Sequence, residues 1–458
     1  MMRISTSMIY NSGVSTINDK TSAMLHTQQQ VSSGRRVVTP SDDPVAAARA
    51  LDVSQAQSVN AQQGTNLDNT KSSLGLEESQ LSGVNDVLTR VRELIVQAGN
   101  SNLSANDRRS IATELRSNYD QLQGLANSSD GNGNYLFSGY MGSTIPFGGT
   151  VDTLNQAPGN EVSYFGDSGQ RTLQVSATRQ IAISDPGNSV FQQIPNGNGH
   201  FVTSYASYNS GGGVVNAGSV ADPAAWNSSV PQSVSAVFSV DTSVIPSKTY
   251  YDLVDTQSGS PTQGTSLLTG QVYTLPLDAT SAPAPATYPG QLRLYSDGQP
   301  ISLKSVAGDT STFNMGSNIT ITGAPAQGDS FSTAPSTSQS VFKTIATVIN
   351  VLEKGNTGTS AGVAALSNDI GFALTNIDQA TDNILTVRAA VGSRLNEVDA
   401  LSNINQDLSL QYSSTLSTLQ DLDYAKTITD LTREQTDLQA AQKSFVSTSQ
   451  LSLFTYIQ

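Results

Sequence analysis

The apolar positions of this chain follow two periodicities. Leu67, Leu74, Leu81, Leu88 and Ile95 are spaced by seven without a break, and Val84, Val91 and Ala98 lie three residues beyond the last three of them. That is the a/d seam of a helix packed lengthwise on another helix. Gly99-Asn100 interrupts it, and Ser104 with Asp107 predicts a capping box that opens a second helix, with Ile111, Leu115, Leu122 and Leu125 on its buried face. The pattern returns near the C-terminus. Ile377, Ile384, Val391 and Val398 step by seven; Leu408, Tyr412, Leu416, Leu419 and Leu422 follow at spacings of four and three; Leu431, Leu438 and Phe445 resume the seven. No Gly or Pro follows Gly392 in the remaining 66 residues, which predicts one continuous helix about 100 Å long. Such a helix needs a partner of similar length, and the N-terminal arm supplies it.

Between the arms the period changes to two. Gln291-Leu292-Arg293-Leu294, the turn Ser296-Asp297-Gly298 and Ile301-Ser302-Leu303 read as a hairpin; Ile319-Thr320-Ile321 and Val234 to Phe238 read as further strands. Fifteen of the 17 prolines and 22 of the 37 glycines lie in residues 141–335, which hold only 17 of the 60 charged residues. Ser210 to Gly213 and Ala282 to Pro289 are loops. The fold class is therefore α+β and multidomain: a long antiparallel, coiled-coil-like bundle formed by the two arms, carrying an inserted all-β domain. The expected division is 1–45 pairing with 416–458 as axial helices, 46–140 pairing with 336–415 as a helical core, and 141–335 as an outward-facing insertion.

Composition narrows the chemistry. The net charge is −14 and no segment is a basic tail, so nucleic acid and anionic lipid are poor partners. With no cysteine, disulfides, thiolate metal sites and thiol nucleophiles are excluded. No apolar run is long enough to span a membrane, and the first fifteen residues lack the apolar stretch of a signal peptide, so export would use another route. Gly166-Asp167-Ser168-Gly169 matches the tetrapeptide around a serine-protease nucleophile, but the two histidines lie elsewhere, His26 in a helical arm and His200 in a Gly/Asn-rich loop; a turn is the simpler expectation. For Asp42-Asp43, Pro44 fits the first helical position and Asp43 caps the Ala-rich helix after it. Arg35-Arg36 reads as a solvated turn. No catalytic, cofactor or metal site is expected.

Three stretches carry a resemblance. Met2 to Thr6, the run Gln28-Gln29-Gln30-Val31-Ser32-Ser33-Gly34-Arg35-Arg36-Val37, and Pro40-Ser41-Asp42-Asp43-Pro44-Val45-Ala46-Ala47-Ala48 resemble the N-terminal signature of the flagellin-like axial proteins of the bacterial flagellum. Asn134 to Gly139, Gly323 to Phe331 and the tail Ser449 to Ile457 are similar to that family as well. Pro40, Pro44 and the tail point to its hook-filament junction branch rather than to filament flagellin, the alternative. The resemblance implies a structural part and not an enzyme, exported through the flagellar export apparatus and placed outside the cell at the hook-filament junction. Its implied partners are the first hook-associated protein, flagellin, further copies of itself in a ring, and an export chaperone on the C-terminal arm. A hydrolase or adhesin acting through the insertion is the remote alternative. The apolar residues near the ends (Ile4, Met8, Ile17, Leu25 and Val31; Ile428, Leu431, Leu438 and Phe445) are thinly spread among Ser, Thr and Gln, which predicts that the ends order only against neighbouring subunits.

Overall fold

A computed structural model describes residues 6–152, 162–228, 231–283, 287, 290–355 and 358–454, and the side chains of 7–449 among these. Ile4, most of the Met2–Thr6 motif and the end of the tail lie outside the described residues. The helices are α1 (Thr6–Ser33), α2 (Pro44–Ala98), α3 (Ala105–Ala126), α4 (Gly187–Phe191), α5 (Pro223–Ser228), α6 (Val341–Lys354), α7 (Ser360–Gln420) and α8 (Tyr424–Phe454). None is long and apolar enough to cross a membrane. Chain contacts divide the molecule into two units, one of residues 1–69, 174–180 and 397–458, the other of residues 70–173 and 181–396.

In the first unit α1 lies antiparallel on α8. Lys20 Nζ meets Asp437 at 3.1 Å, and Tyr10 and Phe445 pack with ring centroids 5.1 Å apart. Gly13 lets the two helices approach, because a Cβ there would stand 2.5 Å from the Phe445 ring. The α2 residues of this unit lie along the end of α7, with Ala46, Ala50, Asn60 and Leu67 buried. The continuous C-terminal helix expected after Gly392 is interrupted between Gln420 and Tyr424. The sequence there holds two weak helix formers, Asp421 and Asp423, and its backbone is engaged elsewhere: Asp421 pairs with Arg35, and the Leu422 amide donates to the Gly34 carbonyl at 3.1 Å. Asp423 then restarts the helix by accepting from the Lys426 amide.

The second unit has a helical and a β part. Ser104 and Asp107 form the expected capping box on α3. Ile111, Leu115, Tyr119 and Leu122 on α3 are buried, as are Phe342, Ile345, Ile349 and Leu352 on α6. The apolar stripe of α6 recurs at three and four residues, and the helix stops where Gly355 adopts φ 72°. Phe147 sits within ring contact of Tyr164, Phe191 and Phe342, and Phe342 in turn of Tyr119. This aromatic cluster ties the start of the insertion to the helices.

Two antiparallel sheets are the largest in the insertion. One has the order Arg293–Leu294, Lys248–Asp255, Val234–Asp241, Ser330–Pro335, Phe201–Tyr205; the other runs Pro300–Lys304, Asn314–Thr322, Val214–Val215. Their shared core includes Phe201, Trp226, Phe238, Phe331, Met315 and Ile319. Val234–Asp241 alternates poorly because its first six residues are all buried. The hairpin expected between 291–294 and 301–303 does not form. Arg293 and Leu294 pair with Tyr251 and Tyr250, whereas Ile301 pairs with Ile319. The turn at 296–298 therefore carries the chain from one sheet to the other, a choice made by which strands complete each sheet and not by the turn.

Candidate functional site

The family-like motif folds into a tight joint between α1 and α2. Gly34, at φ 68°, makes the turn that ends α1, and a Cβ there would stand 2.8 Å from the Tyr424 hydroxyl. The Ser33 hydroxyl donates back to the Gln30 carbonyl. Asp42 gathers the loop: it accepts from the Val38 and Thr39 amides at 2.9 and 2.8 Å and from the Thr39 hydroxyl, and it lies 3.0 Å from His26 Nε2. The Thr39 amide first, then its hydroxyl, the Val38 amide and His26, hold its carboxyl down to about 2. Asp43 accepts from the Ala46 amide at 2.9 Å, so the expected cap is present, with Pro44 as the first helical residue. The Ala46 amide, then Arg36, lower its pKa. Pro40 lies exposed on the outside of the turn.

Arg36 does more than the solvated turn expected of it. Its guanidinium reaches Asp43 at 3.2 Å and the Leu419 carbonyl at 2.9 Å, while its amide donates to the Gln420 carbonyl at 2.7 Å. Together with the bridge between Arg35 and Asp421, this clasps the α1–α2 turn to the α7–α8 turn. Paired helices thus change direction at one level.

The seam positions differ along their length. In the second unit Leu74, Leu81, Leu88, Ile95, Ile377, Ile384 and Val391 are all buried; each such side chain contributes about 1.5–3 kcal/mol by leaving water. In the first unit Leu67 and Val398 are buried, Leu419, Leu431, Leu438 and Phe445 are half-buried, and Leu408 is exposed. Met8 and Leu25 also face solvent, at 62% and 50% exposure. With Ile404, Leu410, Ile428 and Val446 exposed too, this unit leaves much of its apolar surface uncovered.

One seam position carries an acid. Glu77, three residues after Leu74, is buried, and its Oε1 accepts from the Asp185 amide at 2.9 Å. The Asp185 carboxylate pairs with Arg394 on α7 and accepts from Gln170 at 2.6 Å. Burial, then the Asp185 charge, pushes Glu77 up to about 8, against the opposing pull of Arg394 and Arg171. The cluster is a link between the insertion and two helices; its positions could have been suspected because Glu77 alone puts an ionisable residue in the Leu74–Ala98 seam.

The remaining candidates are turns. Asp167 accepts from the Tyr140 and Gly169 amides, and the Ser168 hydroxyl accepts from Asn188 at 2.7 Å, so Gly166 to Gly169 braces the stretch after Gly139. His200 sits in a turn where its amide donates to Asn198. Among the described residues no group of three or more His, Cys, Asp or Glu side chains is placed to hold a metal.

Residues 4–141 match the bacterial flagellin N-terminal helical region. Flagellar hook-associated protein 3 of Escherichia coli is 28% identical over 99% of both chains, and that of Salmonella typhimurium is 41% identical over 42% of this chain and 58% of its own. The chain thus spans somewhat over half of the Salmonella protein. The crystal structure of the flagellar junction protein FlgL from Legionella pneumophila superposes with a TM-score of 0.65, at 29% identity, over 81% of this chain and all of that one. The chain is thus similar to the flagellin-like axial proteins of the flagellum. Within that family its similarity runs end to end with hook-associated protein 3, whereas matched flagellins align over 24–40% of it. Its similarity is to a structural component of the bacterial flagellum.

Proposed function

We propose that this protein joins the flagellar hook to the flagellin filament, as a stacked subunit and not as an enzyme. The carrying observation is the end-to-end similarity to hook-associated protein 3, against matches to flagellin that stop well short. The uncovered apolar residues of the first unit support the mechanism: an axial subunit completes its terminal helix seams with those of its neighbours, which are copies of itself in a ring, the first hook-associated protein on one side and flagellin on the other. An export chaperone covers the C-terminal arm before passage through the flagellar export apparatus.

Deleting the gene in its own host and measuring flagellin on the cell and in the medium tests the role. Cells with bare hooks that shed unpolymerised flagellin are expected; normal filaments and motility would overturn it, and long homopolymers of this chain would favour a filament flagellin. Leu431→Asp with Leu438→Asp should block assembly while leaving the β signal of the monomer intact, and undisturbed assembly would refute the seam mechanism.

A further inference from the structure

We infer that Asn60 on α2 and Asn405 on α7 set the axial register of these two helices and thereby bring the two turns of the motif joint together. Asn60 is 4% exposed. Its Nδ2 donates to the Asn405 carbonyl at 2.9 Å, and Asn405 Nδ2 donates to the Asn60 carbonyl at 2.8 Å and to Asn60 Oδ1 at 2.9 Å. The bonds are reciprocal and reach backbone, so they require one alignment of the two helices. Gly64 leaves the room this needs, since a Cβ there would meet Asn405 Oδ1 at 3.0 Å.

The buried seam from Leu67 to Ile95 and from Ile377 to Val398 repeats every seven residues, so a slip of one heptad preserves its pattern. Toward the joint the buried α2 residues are Ala46 and Ala50, which are too small to lock into holes on the facing helix. A buried polar pair costs free energy when misaligned, because its donors and acceptors then lose their partners without regaining water. Distance makes the register matter. Sixteen residues separate Asn60 from Pro44, the first residue of α2, and fifteen separate Asn405 from Gln420, the last of α7, about 24 and 22 Å of helix. Both helices therefore end at one level, where the Arg36 amide meets the Gln420 carbonyl and the Leu422 amide meets Gly34. A slip of one heptad moves these groups about 10 Å apart and dissolves the clasp.

The absence of cysteine makes the register directly readable in the full chain. Gln57 and Ser413, whose side chains are in contact at 3.1 Å, report the native alignment as Gln57→Cys/Ser413→Cys; Gln57→Cys/Gln420→Cys, about 18 Å apart along the axis in the native register, reports a slip of seven. With Asn60 and Asn405 in place, oxidation should yield the first cross-link and only traces of the second. In the Asn60→Leu/Asn405→Leu background the slipped product should rise about tenfold relative to the native one, with helical circular dichroism retained. Asn60→Ala/Asn405→Ala should behave alike and serves where the leucines pack badly. An unchanged ratio in both backgrounds would overturn the inference, and so would loss of helicity in both, since the pair would then hold the helices together and not align them.

Discussion

Replacing Glu77 by Gln should remove one pH-dependent contribution to the stability of the second unit. An ordinary glutamate titrates near 4.5, and burial beside Asp185 pushes Glu77 up to about 8. Below pH 4.5 the carboxyl is protonated both folded and unfolded, so stability is unaffected by this group. Between 4.5 and 8 only the unfolded chain releases the proton, which favours unfolding as pH rises; above 8 both states are ionised and the loss is complete. The span corresponds to roughly 5 kcal/mol at most. Glu77→Gln keeps an acceptor for the Asp185 amide but has no proton to lose. Unfolding followed by helical circular dichroism and by the fluorescence of Trp226, the single tryptophan, should give similar stabilities for both proteins at pH 5. At pH 8 the variant should be more stable by several kcal/mol, about 5 °C in Tm for a unit of this size. Parallel stability profiles from pH 5 to 8, differing by less than about 1 kcal/mol, would refute the reasoning, because a carboxyl that stays ionised in the fold imposes no such slope.

Gly34→Ala forces a side chain into a left-handed backbone and toward the Tyr424 hydroxyl; a loss of about 1–2 kcal/mol should appear as faster hydrogen exchange at 419–424, and unchanged protection would show that the joint tolerates strain. Phe342→Ala opens a hole in the aromatic cluster with Tyr119, Phe147 and Phe191, costing about 3–5 kcal/mol in denaturant titration. Ser168→Ala removes only the acceptor of Asn188, so stability should change by less than about 1 kcal/mol, and any esterase or protease activity of the preparation should be unaffected; activity lost with the serine would revive a hydrolytic role.

The heptads declared the helices because a seven-residue apolar repeat has few other uses: Leu74 to Ile95 and Ile377 to Val391 are buried where the spacing put them. Local chemistry was equally legible at Ser104/Asp107 and at Asp43-Pro44, since a cap depends on residues three apart. Strand pairing was not. The segments 291–294 and 301–303 are adjacent and turn-connected, yet join different sheets, because pairing is decided by which distant strand offers an open edge and a matching buried face. The break at 421–423 escaped notice for a similar reason: no Gly or Pro marks it, and its backbone partners, Gly34 to Arg36, lie nearly 400 residues away. Sequence by itself determined the arms, the insertion and the resemblance to flagellar axial proteins, which rest on local spacing and short motifs. Tertiary structure alone decided what the polar exceptions do: that Arg36 clasps two turns, that Glu77 is held neutral by burial, and that Asn60 meets Asn405. Those roles come from electrostatics and hydrogen bonds between residues far apart in the chain, and no periodicity encodes them.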